Sequence, residues 1–198
     1  ENGQNAGKLL GELFKDETEV YVGLICHGAP FFATRQRDFA AEQVLNEQFK
    51  NITICAKENF YSEDRVYKIC RDMITAHPNI KGLYVSWEGP ALEAMRALVD
   101  MGREDVSIVT SDLDLEAAVN IAKGRIIKAL SSQRPYEQGV AMALAAANAF
   151  LGKKVHSFIG VQPYPVNRKN LLKAWRDIIK TKEPQVLLDA MRENEKYY

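Results

Sequence analysis

The chain has 198 residues, of which 46% are hydrophobic and 26% charged, an ordinary composition for a globular protein with a core of its own. Its 26 basic and 26 acidic side chains cancel, so the basic excess typical of nucleic-acid-binding domains is absent. No apolar run is long enough to cross a bilayer, and no secretory signal is recognisable. Because the chain opens on Glu1 and not on methionine, we expect it to be a processed or shortened piece.

Short apolar runs alternate with segments of helical periodicity. The predicted strands are Val20–Cys26, Ile52–Ala56, Gly82–Ser86, Val106–Thr110, Arg125–Leu130 and a late strand at Phe158–Val161. The predicted helices span 5–15, 33–48, 63–76, 90–101, 113–123, 137–151, 171–180 and 185–193. This alternation predicts βαβ units, and strands that are apolar throughout are typical of a sheet covered on both faces. The predicted fold is therefore α/β, an open parallel β-sheet sandwiched by helices.

Glycines mark several features of the predicted helices. Gly3, Gly7 and Gly11 are spaced by four, so they share one face of the first helix, and we expect that face to pack closely on a sheet. Gly102 and Gly124 follow helical runs and are predicted to end them.

The sequence contains no recognisable catalytic or metal-binding pattern. It has no nucleophile elbow, P-loop or dinucleotide-binding turn, and none of its three histidines has a metal-site partner at helical spacing. The three cysteines form no metal-ligand pattern and are predicted to be buried. The acidic residues Asp112, Asp114 and Glu116 are compatible with a metal site, but we favour a strand-end residue followed by the first turn of a helix.

Polar and aromatic residues instead follow the predicted strands in order. They are His27 after the first strand, Tyr61 after the second, Trp87 and Glu88 after the third, Asp112 after the fourth and Gln133 after the fifth, with Arg35 on the helix behind the first. In an open parallel sheet, ligands bind outside the carboxyl ends of the strands. Carboxylates, amides, a guanidinium and aromatic rings together suit a polyhydroxylated ligand.

Each of these residues also has a structural interpretation. Arg35 is equally compatible with a surface ion pair to Asp38, Trp87 with the edge of the core, and Asp112 with a helix N-cap. The prediction of a binding site depends on the convergence of all these residues at one edge of a parallel sheet.

Several stretches resemble the type I periplasmic binding proteins, in particular the ribose-binding-like components of ABC transporters. The sensor domains of LacI-type repressors share that fold. The similar stretches are Arg35 four residues before Phe39, the run Ala76–Gly82, the turn Trp87–Leu92, the strand end Val109–Asp112 and the crossing Gln133–Gly139.

The resemblance implies a hinged, two-lobed binder that closes around a sugar, without catalysis or a cofactor. By position it implies ligand contacts for Arg35, Asp112 and Gln133, and a ring-covering role for Tyr61. The chain departs from the family pattern at Asp38, where glycine is usual. It departs again at Trp87 and Glu88, where many members have Asn-Asp, and this leaves the identity of the ligand open.

The resemblance also implies a division of the chain. Residues 1–133 would form the C-terminal lobe, 134–158 would belong to an otherwise missing N-terminal lobe, and 159–198 would hold the return strand and closing helices. The alanine-rich helix in 134–158 would then lack its sheet, and we expect another chain, such as a second copy, to cover it.

The expected partners are a sugar or polyol and an ABC permease, outside the cytoplasm and without nucleic-acid contact. A cytoplasmic sugar sensor of a LacI-type regulator is the alternative.

Overall fold

The structure, a computed structural model, describes residues 1–195. Within this range the strands are β1 (Val20–His27), β2 (Ile52–Phe60), β3 (Ile80–Val85), β4 (Ser107–Ser111), β5 (Ile127–Ser132) and β6 (Tyr164–Asn167). The helices are α1 (Asn2–Leu13), α2 (Phe32–Gln48), α3 (Val66–Ala76), α4 (Glu88–Asp100), α5 (Leu115–Ala122), α6 (Pro135–Phe150), α7 (Leu171–Ile179) and α8 (Gln185–Glu195). A 3₁₀ turn at Glu63–Arg65 precedes α3.

The six strands of the described chain form one sheet in the order β2-β1-β3-β4-β5-β6. All neighbouring pairs are parallel except β5 with β6, which is antiparallel. Five parallel strands therefore end at the same edge of the sheet, and the loops that follow them lie close together. The predicted α/β fold with a parallel sheet is confirmed.

Helices cover both faces of the sheet, which explains why the central strands are apolar throughout. On one face α1 and α2 place Leu10 and Leu45 against Val22 and Val109. On the other face α3, α4, α5, α7 and α8 enclose a larger core that includes Leu83. No helix among residues 1–195 is long and apolar enough to span a membrane.

The prediction of a late strand at Phe158–Val161 is wrong. Those residues have no regular structure, and the last strand is β6, which pairs with β5. Pro165 lies within β6, and a proline in a sequence usually argues against a strand because it has no backbone N–H to donate. It is tolerated here because β6 lies at the edge of the sheet.

The glycine face of α1 packs on a helix, and not on the sheet as predicted. A Cβ added at Gly3 or Gly7 would lie 1.9 Å from the Arg37 carbonyl oxygen or 2.7 Å from that of Ala41, both on α2. At Gly11 it would meet the Phe49 ring at 2.3 Å. The glycines therefore bring the backbones of α1 and α2 into contact. The predicted helix ends at Gly102 and Gly124 are confirmed, because both have φ near +65° (67° and 64°).

The alanine-rich helix α6 stands apart from the body of the fold. None of its residues is buried, whereas α1 buries five. Met142 and Leu144 are 72% and 60% exposed. In its N-terminal turn, the Glu137 carboxylate contacts Lys180, the residue that follows α7, at 2.6 Å. Of the closing segment predicted at 159–198, residues 196–198 lie outside the described range.

Candidate functional site

Asp112 is the centre of a polar cluster at the carboxyl edge of the sheet. It follows β4 directly and has a left-handed backbone with φ 67°, a conformation that Asp tolerates better than most residues. Its N–H donates to the carbonyl oxygen of Ser131 at the end of β5 (2.9 Å). Non-glycine residues in this conformation are common at functional sites, where the surrounding structure holds them.

The Asp112 carboxylate joins two side chains from different elements. Its Oδ1 accepts a hydrogen bond from Gln133 Nε2 (3.0 Å), and its Oδ2 accepts one from Arg37 Nη1 (3.0 Å). Arg37 also donates to the carbonyl oxygen of Ser86, the residue after β3. The sequence predicted Asp112 and Gln133 at one edge, and the structure brings them together. Both acceptor and donor groups for hydroxyls are therefore present in one cluster.

Arg37 was not among the site residues predicted from the sequence. Its side chain is only 9% exposed, and its ion pair with Asp112 explains how a guanidinium is accommodated at that depth. A signal was present in the helical spacing: Arg37 lies four residues before buried Ala41, so it continues the buried stripe of α2.

Asp38, which stands where the family that the sequence resembles usually has glycine, organises the end of β1. It is 5% exposed and accepts hydrogen bonds from the His27 backbone N–H (2.9 Å), the Tyr84 hydroxyl (2.8 Å) and the Ser86 hydroxyl. The side chain that departs from the pattern thus links α2 to β1 and β3 below the candidate site. It does not pair with Arg35, the structural alternative weighed for that residue, in the described part of the chain.

An aromatic group lies beside the polar cluster. The His27 ring stacks on Phe31 (5.4 Å between centroids, 23° between planes) and meets Trp87 edge-on at 5.0 Å. Trp87 also packs on Phe60 at the end of β2, with centroids 5.0 Å apart. The exposed ring of Tyr61 covers Gly28, where an added Cβ would lie 2.6 Å from it. His27 and Trp87 are therefore in contact, and Tyr61 lies over Gly28, the residue after His27, at the strand ends where the sequence predicted them.

Glu88 begins α4 next to Trp87. Burial, and secondarily the carboxylates of Asp112, Asp114 and Glu63, raise its pKa from 4.5 to about 7. Its Oε2 atom is buried and has no hydrogen-bond partner. Glu63 was not anticipated from the sequence. Its Oε1 accepts a hydrogen bond from Trp87 Nε1 (2.8 Å), so the 3₁₀ turn orients the indole.

Arg35 lies outside the Asp112 cluster. It is exposed and lines a groove of about 690 Å³ between α2 and β2, together with His27 and Asn59. A second groove of about 850 Å³ contains Arg37 and Gln133. Gln36 and Phe39 line both grooves, so the N-terminal half of α2 separates them. A ligand contact for Arg35 stays a prediction.

The acidic residues after β4 have the structural roles favoured from the sequence. Asp114 caps α5, because its Oδ1 accepts a hydrogen bond from the Ala117 N–H at 2.7 Å. Glu116 lies in the first turn of α5 and is 3.9 Å from Arg96. Among residues 1–195, no group of three or more His, Cys, Asp or Glu residues could hold a metal ion.

The family model and the curated proteins that match this chain are of one kind, the periplasmic binding proteins. The model of the periplasmic binding protein domain family matches residues 1–154. The ribose import binding protein of Escherichia coli (strain K12) is 29% identical over 145 residues, which are 71% of this chain and 45% of that protein. The chain thus spans about half the length of the curated relatives it matches.

Solved structures share the fold. A carbohydrate transporter solute binding protein from Agrobacterium radiobacter, in complex with D-arabinose, matches with a TM-score of 0.81 and 22% identity. The match covers 89% of this chain and 62% of that one. An ABC transporter solute binding protein from Mycobacterium smegmatis with bound glycerol matches with a TM-score of 0.74 and 25% identity, over 86% of this chain and 60% of that one.

The family match covers most of the chain, and the solved structures that share its fold agree with it. The chain therefore belongs to the type I periplasmic binding proteins, in the ribose-binding-like branch of this family of solute-binding proteins.

Proposed function

We propose that this chain binds a sugar or polyol as one lobe of a hinged binding protein that serves an ABC transporter. The observation that carries the proposal is the cluster of Arg37, Asp112 and Gln133 beside the aromatic group at the carboxyl edge of the sheet. Guanidinium and amide N–H groups donate to sugar oxygens, and carboxylate oxygens accept from sugar hydroxyls. The names of the relatives, which include D-arabinose and ribose, support this ligand class.

The proposed ligand contacts are Asp112, Gln133, Trp87, Tyr61, Glu88 and His27, with Arg35 at the entrance of the adjoining groove. Aromatic faces would cover the C–H side of a sugar ring, while the Asp112 cluster would bind its hydroxyls. The protein would perform no chemistry. Closure of two lobes would bury the ligand, and the closed form would be recognised by a membrane permease outside the cytoplasm.

The proposed division into lobes is supported by the exposure of α6. Residues 1–133 and the elements after 158 share the sheet and its helices, whereas α6 buries none of its residues in the described chain. An alanine-rich helix that exposes Met142, Leu144 and Phe150 is expected to pack against a partner surface. We assign α6 to a second lobe, which would also provide the opposite wall of the binding cleft. The relatives named above are transporter components, so the regulator alternative receives no support from them.

A thermal-shift screen tests the proposal. The protein expressed from its complete reading frame is heated with a panel of pentoses, hexoses and polyols. We expect a concentration-dependent rise in Tm with members of the panel, and loss of that rise in Asp112→Asn. The matched control is Asp105→Asn, because Asp105 lies at the opposite edge of the sheet and pairs with Arg103. The absence of a shift with every compound, or an equal loss in both variants, would contradict the proposal.

A further inference from the structure

Two residues other than glycine have a left-handed backbone among residues 1–195, Asp112 (φ 67°) and Lys180 (φ 61°). Asp112 is the centre of the candidate site. Lys180 directly follows α7, at the position where a glycine commonly ends a helix because a Cβ makes this conformation costly. Strained residues of this kind are common at functional sites, where the surrounding structure holds them. A side-chain role that offsets the cost is therefore expected at Lys180.

The side chain of Lys180 contacts the start of α6. Its Nζ lies 2.6 Å from Glu137 Oε1 and 5.5 Å from the centre of the Tyr136 ring. Arg134 Nη2 donates to the same Glu137 oxygen (2.9 Å). The hydrogen bond from Lys180 is the main cause that lowers the pKa of Glu137 from 4.5 to about 2, so this carboxylate is charged at neutral pH. One side chain from the body of the fold thus holds two consecutive residues of α6.

The first turn of α6 is the part that attaches this helix to the body of the fold. Within residues 1–195, all side-chain hydrogen bonds and ion pairs of α6 involve its first four residues. Farther along the helix no residue is buried, and a Cβ added at Gly139 would meet nothing within 4 Å. The direction in which α6 leaves the body therefore depends on the contacts of its first turn.

The same turn adjoins Gln133, which belongs to the Asp112 cluster. Gln133 Nε2 donates to Asp112 Oδ1 (3.0 Å), and Gln133 Oε1 accepts a hydrogen bond from Gln138 Nε2 on α6 (3.5 Å). Only Arg134 separates Gln133 from Pro135, the first residue of α6, and a residue before proline has restricted backbone angles. Because this link is short and stiff, a rotation of α6 moves the Gln133 side chain relative to Asp112.

We propose that Lys180 is a positioning residue of the candidate site, which holds Glu137 and thereby fixes α6 and the Gln133 amide beside Asp112. The inference rests on the proposed function, in which Gln133 contacts the ligand. Lys180 lies beyond residues 1–154, the part of the chain that the family model matches. Its effect on the site is transmitted through the first turn of α6.

Nuclear magnetic resonance of the ¹⁵N-labelled protein, expressed from its complete reading frame and free of sugar, tests the inference. In Lys180→Gly and Lys180→Asn we expect the Gln133 side-chain amide signals to move, because the cation is lost while both residues accept the left-handed backbone. Lys180→Arg keeps the cation, so the signals should stay in place. Lys182→Gly is the matched control, since Lys182 is exposed and lies two residues farther along the same connection.

The Tm separates positioning from support of the fold. Glycine relieves the left-handed strain, and a partly exposed ion pair contributes little stability. We therefore expect the Tm of sugar-free Lys180→Gly to lie within about 2 °C of the parent value or above it. Its affinity for the pentoses, hexoses or polyols that raise the Tm of the parent protein should fall about threefold or more, because the site is less preorganised.

The outcomes separate this inference from the proposed function. Gln133 signals that stay in place in both neutral variants, or that move as far in Lys180→Arg or Lys182→Gly, would overturn the role of Lys180 and leave the proposed function standing. An unchanged sugar affinity in Lys180→Gly would overturn it as well. If no pentose, hexose or polyol raises the Tm of the parent protein, the proposed function fails, while the Gln133 signals still decide whether Lys180 positions that side chain.

Discussion

Two arginines two positions apart on α2 have opposite environments. Arg37 lies in the buried stripe of the helix and pairs with Asp112, whereas Arg35 is exposed on the other side. Residues two apart on a helix point in nearly opposite directions, so only one of the two can reach the Asp112 cluster. The family resemblance pointed to Arg35 because it stands four residues before Phe39 in the sequence. In the structure, the packing of α2 places Arg37, and not Arg35, beside the Asp112 carboxylate.

Replacing Arg37 with methionine is expected to lower the free energy of unfolding by about 2 kcal/mol. The substitution leaves the partly buried Asp112 carboxylate without its cation, and the cost is below that of a fully buried pair because Asp112 is 25% exposed. Arg35→Met is the control and should change stability by less than about 0.5 kcal/mol. Urea unfolding of the two variants measures the difference. Equal stabilities would show that the ion pair contributes nothing to the fold.

Glu88→Gln is expected to stabilise the protein above pH 7. The folded pKa of Glu88, about 7, lies above its ordinary value of 4.5, so the folded state retains the proton between these values and stability falls as pH rises through them. Glutamine carries no charge and removes that loss. Because the carboxyl is partly solvated, we expect about 1–2 kcal/mol at pH 8 and none below pH 4.5. Urea unfolding at pH 4 and pH 8 checks this, and a variant that is less stable at pH 8 would contradict it.

At the scale of residues, the sequence located Asp112, Gln133 and the aromatic group, because each directly follows a strand of a recognisable parallel sheet. It did not locate Arg37 or Glu63. The position of Arg37 depends on how the start of α2 is rotated against β1 and β3, and that of Glu63 depends on the 3₁₀ turn before α3. The positions of Arg37 and Glu63 are set by tertiary packing, and the local periodicity of the sequence indicates them only weakly.

At the scale of elements, the contact of α1 with α2 depends on small side chains. Gly7→Ala is expected to lower the free energy of unfolding by about 1–3 kcal/mol, because the new methyl would lie 2.7 Å from the Ala41 carbonyl oxygen and separate the helices. Gly139→Ala on α6 is the matched control, since a Cβ there meets nothing within 4 Å. It should stabilise by up to about 1 kcal/mol through helix propensity. Thermal unfolding of both variants tests this, and a neutral Gly7→Ala would contradict the close contact.

Most elements could be predicted because their periodicity and length agree with the fold that contains them. The exceptions have physical causes. The run Phe158–Val161 is apolar and β-branched but finds no neighbouring strand, whereas β6 contains a proline that only an edge strand accepts. The glycine spacing of α1 indicated a close contact correctly, but spacing on one helix does not distinguish a helix from a sheet as the partner.

At the scale of the whole molecule, α6 leaves an apolar surface uncovered in the described chain. We expect this 198-residue chain to self-associate at micromolar to millimolar concentrations through that surface. Leu144→Glu should weaken the association, because it places a charge on the exposed face. Val99→Glu on α4 is the control, since Val99 is also exposed but lies on the body of the fold. Sedimentation velocity measures both, and equal association of the two variants would show that α6 is not the contact surface.

The central claim is that a polyhydroxylated ligand binds at the carboxyl edge of the sheet, between the Asp112 cluster and the aromatic group. Nuclear magnetic resonance of the ¹⁵N-labelled protein, titrated with the sugar or polyol that gives the largest thermal shift, tests this most directly. We predict that the largest shifts occur at the Trp87 indole N–H, the Gln133 side-chain amide and the backbone N–H of Asp112. Saturable shifts confined to the amino edge of the sheet or to α6, with these three signals unchanged, would contradict the account.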